Sequence, residues 1–410
     1  MIILPIETKR RELLSKLLIA FHLLKKNRSV VIGHDLVLNY SKNIRNSTIL
    51  LKSAASFEAD RIDTLFRKKN IIISLDEEGI IPPIHDPSIN TRFNEGFLAK
   101  IRKIFVNGNL ELDLINSVYN GEKLVKTGNP RLDLCKKKYQ MLYEAEIDEI
   151  RKITKNKDIL LIASRFGDVN SHKNIDYFEL LENAGYITSD KSKFYFQNHY
   201  AHTKKIFEKF ITLPSFLAAK FPEKAIVVRP HPSENVSAWV FQEKNIIVSS
   251  QFDIGSWIHS DATLIHNGCT TALEASVRGN KIISYKPFDD PSYDNPVADN
   301  LGVICKNEVD IIKTIESYKA ESITSVLASS VFIHDQIDAA EIVAKELAKL
   351  SSCHSYDRLA VPVKIRLLKL KNKLLSSFGR KTYLNSKFDS LSELEIISAL
   401  EKIMKINQEV

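Results

Sequence analysis

Short apolar runs alternating with helix-patterned stretches, in two successive series, constrain this chain more than any other feature. The first series is Ile2–Ile6, Ser29–Gly33, Thr48–Lys52, Asn70–Leu75, Ile104–Asn107 and Leu124–Thr127. Helical spacing fills the gaps, as in Thr8–Lys26 and Phe57–Lys68. The second series is Asp158–Ala163, Ala225–Val228, Asn245–Val248, Ala262–Ile265 and Lys281–Tyr285, closed by helices around Val309–Lys319 and Asp335–Leu350. Continuous apolar strands separated by helices read as parallel sheets covered on both faces. The expected fold class is therefore α/β, with two Rossmann-like domains facing a central cleft. The boundaries read as 1–135 for an N-terminal Rossmann-like domain, 136–157 for a polar linker, 158–350 for a C-terminal Rossmann-like domain and 351–410 for basic amphipathic helices.

Composition narrows the class. With 44% apolar and 26% charged residues, the 410-residue chain is ordinary for a globular protein of two or three domains. No apolar run approaches the roughly 20 residues of a membrane span, and Met1–Glu7 turns charged too early for a signal peptide. Cys135, Cys269, Cys305 and Cys353 contain no C-x-x-C pair, so reduced thiols in a cytoplasmic protein are expected. Much of the net charge of +8 lies between Lys364 and Lys381, which argues against a uniformly basic nucleic-acid binder.

In open α/β sheets ligands bind beyond the carboxyl ends of strands, and four strand ends carry polar chemistry. Asp76-Glu77-Glu78-Gly79 follows the first-half run Ile71–Leu75. Paired carboxylates suit a general base or a nucleophile, or form only a solvated turn. Arg229-Pro230-His231-Pro232-Ser233-Glu234 holds an imidazole between two prolines beside a fixed cation, a pairing suited to phosphate. His266-Asn267-Gly268-Cys269-Thr270-Thr271 leads into a helix whose free N–H groups and hydroxyls suit an anion, with Glu274 one turn on, within reach of a ribose. Simple capping is the alternative for the threonines, and Cys269 reads as a small packed residue. Ser164-Arg165-Phe166-Gly167-Asp168 opens the second half, where Asp168 touches the ligand or only caps. Phosphate-loop, dinucleotide, zincin and nucleophile-elbow strings are absent from the sequence.

These strings resemble bacterial surface-carbohydrate glycosyltransferases of the GT-B type over about residues 1–350. The resemblance rests on Leu4–Leu13, Asp76–Gly79, Gly128-Asn129-Pro130-Arg131-Leu132-Asp133, Arg229–Glu234 and His266–Ala275. Glu77-Glu78-Gly79 and His231-Pro232 are similar to the paired motifs of enzymes that use CMP-activated 2-keto sugar acids. The length and tail resemble the retaining β-Kdo (3-deoxy-manno-octulosonate) transferase module of O-antigen enzymes. The resemblance implies that His231 contacts the CMP phosphate, Pro232 packs near cytosine, Thr270 and Thr271 bind the donor phosphate, and an acid among Asp76, Glu77 and Glu78 acts at the acceptor hydroxyl. The donor-binding set then comprises Ser164, Arg229, His231, Pro232, His266, Asn267, Gly268, Thr270, Thr271 and Glu274. A retaining reaction needs a carboxylate nucleophile, with Asp76, Glu77, Glu78, Asp168 and Glu234 as candidates; an inverting one needs only Glu77 or Glu78 as base.

Arg229, His231 and a helix N-terminus can stabilise a departing CMP phosphate, so no metal and no cofactor are expected. The acceptor expected is a lipid-linked lipopolysaccharide or capsule glycan. The interleaved basic and apolar residues of 361–381 suit an anionic membrane surface, placing the enzyme on the cytoplasmic side of the inner membrane. A sugar-nucleotide 2-epimerase, a CDP-polyol phosphate transferase and a non-enzymatic glycan-binding scaffold remain alternatives at this stage.

Overall fold

The computed structural model describes residues 1–36, 38, 44–55, 58–77, 95–119, 122–172, 176–318, 330–334, 336–351, 388 and 391–408. The chain divides into two units. The first contains 1–82, 90–134 and 331–410, and the second contains 83–89 and 135–330.

The first unit holds a six-stranded parallel sheet in the order β2-β1-β3-β4-β5-β6. Its strands are β1 (Ile2–Ile6), β2 (Val30–His34), β3 (Thr48–Leu51), β4 (Ile71–Leu75), β5 (Lys103–Val106) and β6 (Leu124–Lys126). β1 is buried throughout, as a central strand covered on both faces must be. Pro5 has no N–H to give, and it falls beyond Ile2 and Ile3, where β1 pairs with β3.

The second unit repeats the architecture with β7 (Ile159–Ala163), β8 (Ala225–Arg229), β9 (Ile246–Val248), β10 (Thr263–His266), β11 (Ile282–Tyr285) and β12 (Val303–Cys305). Its order is β12-β11-β10-β7-β8-β9, all parallel. The chain winds outward from β7 in one direction and from β10 in the other, so the topological switch lies between these two strands. Phe166, Phe210, Trp239 and Tyr285 fill the core around them. At roughly 150–250 Å² per aromatic side chain, such rings dominate the burial.

The domain limits differ from the sequence reading at two places. Residues 136–157 are part of the second unit, because the helix Glu144–Ile153 buries Ile147 and Ile150. Tyr143 stacks on His259, with ring centroids 4.9 Å apart, and the Ser256 hydroxyl donates to Glu146. The helix Ala339–Leu350 belongs with the first unit, where it packs on the helix Lys9–Leu24. The helix Glu393–Ile406 packs there too, with Lys9 2.9 Å from Glu395. The basic stretch 361–381 lies outside the described residues. Among the described residues no helix is long and apolar enough to cross a membrane.

Candidate functional site

The register of the second sheet sets Ala163 opposite both Arg229 and His266. The turns after β7, β8 and β10 thus leave the sheet at one level, astride the switch point where doubly wound sheets bind ligands. Three of the four strand ends singled out in the sequence are brought together.

Glu234 locks two of these turns. Its carboxylate accepts from the Ser164 hydroxyl, from Phe166 N–H at 2.9 Å, from His231 N–H at 3.1 Å, from the Trp239 indole at 3.1 Å and from Asn170 at 3.4 Å. A short backbone bridge, Ser171 to Glu234, joins the same loops. A buried carboxylate so engaged is a tether, and it is not placed as a nucleophile. Ser164, expected to touch the donor, spends its hydroxyl on this tether. Arg229 donates to the carbonyl of Phe252 at 3.0 Å, which fixes the neighbouring turn.

His231 is exposed beside Pro232. The Ser233 N–H donates to its Nδ1 at 3.3 Å, and the Ser233 hydroxyl lies 2.7 Å away. With Nδ1 accepting, the neutral ring carries its proton on Nε2, the donor form needed against a phosphate oxygen. Gly167 makes this arrangement fit, because a Cβ there would stand 2.0 Å from Ser233 Oγ.

After β10 the chain turns at Gly268, whose φ is +56°, a conformation that favours glycine. Asn267 donates to the Tyr285 carbonyl at 2.9 Å. The Cys269 thiol donates to the Thr271 hydroxyl at 3.3 Å, and burial raises the thiol pKa. Cys269 is thus a packed thiol. Thr270 is exposed and makes no side-chain cap on the helix Thr271–Arg278. The hydroxyl therefore stands at the helix N-terminus without serving as its cap, an arrangement compatible with an anion. Glu274 is buried one turn on. Asp168 is exposed in the turn after β7.

The sequence reading named His266 but missed the polar groups that neighbour it. Arg165 Nε, His199 Nδ1, His202 Nε2, His266 Nε2 and Asp299 Oδ1 are sealed from solvent with no hydrogen-bond partner among the described residues. An unsatisfied buried polar atom costs about 1–3 kcal/mol. Burial first, and the Arg165 charge second, push His199 down to about 4 and His266 down to about 3, so both rings are neutral. Burial raises Asp299, against the pull of Lys286 and Arg165. His199 and His202 sit three apart in the helix Asp190–Phe210, so the H-x-x-H spacing was the available signal.

In the first unit, Asp76 and Glu77 follow β4 and both are buried. Glu77 is ion-paired with the wholly buried Lys16. Burial, then the charge of Glu77, push Glu12 up to about 7; its carboxylate accepts from Glu7 N–H at 2.9 Å and Thr8 N–H at 3.1 Å. Glu78 and Gly79 lie outside the described residues. The string Gly128–Asp133 is structural. Gly128 has φ +74° and abuts the Phe332 carbonyl, Asn129 caps Arg131 N–H at 2.9 Å, and Asp133 accepts from Ala340 N–H at 2.9 Å. Among the described residues no cluster of three His, Cys, Asp or Glu side chains is placed to hold a metal.

No protein-family model and no curated protein matches the sequence. Solved structures do match in fold. The wall teichoic acid polymerase TagF, in a histidine-to-alanine variant, aligns with a TM-score of 0.52 at 10% identity over 85% of this chain and 88% of that one. The UDP-GlcNAc 2-epimerase from Methanocaldococcus jannaschii aligns with a TM-score of 0.51 at 13% identity, over 85% of this chain and all (100%) of that one. The UDP-GlcNAc 2-epimerase from Neisseria meningitidis bound to UDP-GlcNAc gives 0.50 at 13% identity, over 85% and 100%. The two doubly wound parallel units are those of the GT-B fold.

Proposed function

We propose that the chain is a glycosyltransferase of surface-glycan assembly that moves a 2-keto sugar acid, Kdo in the leading reading, from a CMP-activated donor to a glycan acceptor. The observation that carries this reading is the convergence of His231, Thr270 and the Thr271–Arg278 helix start at one sheet edge beside the switch point. A phosphate bound there receives hydrogen bonds from the Nε2–H of His231, the Thr270 hydroxyl and the N–H groups at the helix start. These donors favour the phosphate as it gains charge on leaving. In this reading departure needs no metal. The acids after β4 act at the acceptor hydroxyl, with Glu77 held by Lys16. Glu234 drops out as a nucleophile because its oxygens are occupied, which leaves Asp76, Glu77, Glu78 and Asp168 for a retaining course. The acceptor is lipid-linked, and the basic residues of 361–381 hold the enzyme to the anionic cytoplasmic face of the membrane.

A CDP-activated polyol phosphate is the second reading. The likeness to a wall teichoic acid polymerase favours it, since cytidine recognition serves both donors. Thermal stabilisation by CMP, CDP, UMP, UDP and GDP at matched concentrations tests both. A ligand at about 100 times its dissociation constant adds about 2.7 kcal/mol to the native state. A CMP-selective shift lost in His231→Ala supports CMP-sugar-acid transfer, to be followed by an assay with CMP-Kdo. A CDP-selective shift moves the donor to polyol phosphate. A UDP- or GDP-selective shift defeats cytidine recognition, and UDP selectivity with sugar exchange in the absence of acceptor marks an epimerase.

A further inference from the structure

The buried, unpartnered polar atoms of Arg165, His199, His202, His266 and Asp299 come from four separate stretches of the second unit: the turn after β7, the helix Asp190–Phe210, the end of β10 and the segment after β11. They form one connected set. A Cβ placed on Gly268 would stand 3.2 Å from an Arg165 guanidinium nitrogen and 3.4 Å from Asp299 Oδ1, so both groups border the same turn. The Tyr293 ring contacts both histidine rings, with centroids 5.7 Å from His199 and 5.6 Å from His202. His202 Nε2 lies 3.8 Å from Asp294, too far for a hydrogen bond. Lys286 lies 2.9 Å from Asp294 and 3.6 Å from Asp299. Arg165 has no ion pair among the described residues. Native proteins leave few buried polar groups unsatisfied, and those few call for an explanation.

The chemistry of the set is mixed. Arg165 is a fixed cation with a planar fork of donors. Cys269 N–H donates to His266 Nδ1 at 3.4 Å, so the neutral ring presents Nε2–H as a donor. Asp299 Oδ1 is an acceptor for a hydroxyl. Donors to an oxyanion stand beside an acceptor from a hydroxyl.

We propose that these five residues form a subsite for a hydroxylated oxyanion, the transferred portion of the donor, adjoining the turn that takes the nucleotide phosphate. Arg165, His266 and the histidine pair face the oxyanion, and Asp299 receives a neighbouring hydroxyl. The subsite itself rests on the unpartnered atoms; its assignment to the donor rests on the transferase reading above. The shared chemistry comes from two sources, the carboxylate of a sugar acid or the phosphate of a polyol phosphate.

The test compares an activated donor with its bare nucleotide. Calorimetric titrations of CMP, CMP-Kdo and CDP-glycerol are run on the wild type, the double variant His199→Gln/His202→Gln, Arg165→Lys and Asp299→Asn. The expected result is CMP affinity within about twofold of wild type in every variant, with affinity for the activated donor lowered at least tenfold. If CMP-Kdo is the affected donor, the carboxylate source stands. If CDP-glycerol is, the phosphate source stands and the Kdo reading fails while the subsite survives. Equal losses for CMP and donor, or no loss for either, overturn the subsite, as does a wild type that binds neither donor more tightly than CMP. Should the double variant fail to fold, Arg165→Lys and Asp299→Asn give the same comparison with charge or shape retained.

Discussion

The Ser233 hydroxyl lies 2.7 Å from Nδ1 of His231, and Gly167 leaves the space in which that hydroxyl sits. Orientation of the exposed imidazole therefore depends on a glycine 64 positions away in sequence. Gly167→Ala places a methyl group where Ser233 Oγ now stands, and Ser233 must turn away from the ring. A hydrogen bond of this kind contributes about 0.5–1.5 kcal/mol, roughly a 2- to 12-fold change in affinity. Ser233→Ala and Gly167→Ala are each expected to weaken CMP binding within that range. Calorimetric titration of both variants checks this. Unchanged affinity in both would show that Ser233 does not position His231 for the nucleotide.

Glu234 and Trp239 make a second pair with a measurable consequence. The indole N–H and four other donors converge on one buried carboxylate. Glu234→Ala leaves them without an acceptor, at about 1–3 kcal/mol for each that stays buried and unsatisfied. A loss of about 3 kcal/mol or more in urea unfolding is expected, together with altered Trp239 fluorescence. Glu234→Gln keeps one carbonyl oxygen and is expected to lose less. A variant with wild-type stability and no transferase activity would instead mark Glu234 as the nucleophile.

The sheet edge that gathers the site was legible in the sequence, and the duties of its residues were only partly so. Parallel strands and a switch point bring Ser164, Arg229 and His266 together because each ends an apolar run of similar length. The tether was hidden because Glu234 reaches back to Ser164 and Phe166, which lie far off in sequence and carry no pattern that names them as partners. Lys16 and Glu77 were hidden for the same reason, with β2, β3, the helix Ala59–Arg67 and β4 between them. The residues 136–157 looked like a linker because their charges dominate, although Ile147 and Ile150, at helical spacing, carry the buried face. The histidines at 199 and 202 did have a signal, since three-residue spacing puts both on one helix face. That signal was overshadowed by the strand-end motifs.

Buried neutral histidines make the second unit acid-sensitive. The pKa of His199 falls from 6.5 to about 4 and that of His266 to about 3 on folding. Between pH 6.5 and 4 the unfolded chain binds protons that the folded unit refuses, so stability falls as pH falls through this window. Two such groups give a slope of up to about 2.7 kcal/mol per pH unit. The two tryptophans of the chain, Trp239 and Trp257, both lie in the second unit, so indole fluorescence reports that unit. Urea midpoints followed this way are expected to drop between pH 7 and 5, and to drop less in His199→Gln. A flat profile would show that these rings are not neutral and buried.

Glu12 sets the opposite slope in the first unit. Its carboxyl is pushed up from 4.5 to about 7, by burial first and by the charge of Glu77 second. The unfolded chain releases this proton near pH 4.5, whereas the folded unit keeps it to about 7. The folded state thus binds more protons between these values, and stability contributed at this site falls as pH rises, by on the order of 3 kcal/mol across the window. Glu12→Gln removes the titration and keeps one carbonyl oxygen, an acceptor for one of the two N–H groups, Glu7 and Thr8, that donate to separate oxygens of the carboxylate. Hydrogen exchange of amides in the helix Lys9–Leu24 reads this unit without the tryptophans. Protection in the wild type is expected to weaken from pH 5 to 7.5 after correction for the intrinsic exchange rate, and to stay level in Glu12→Gln. Lys16→Met should steepen the loss above pH 5, because it leaves Glu77 without its buried partner, a change that costs about 3–5 kcal/mol when one member of a buried ion pair is removed. Equal profiles in wild type and Glu12→Gln would place the Glu12 proton elsewhere.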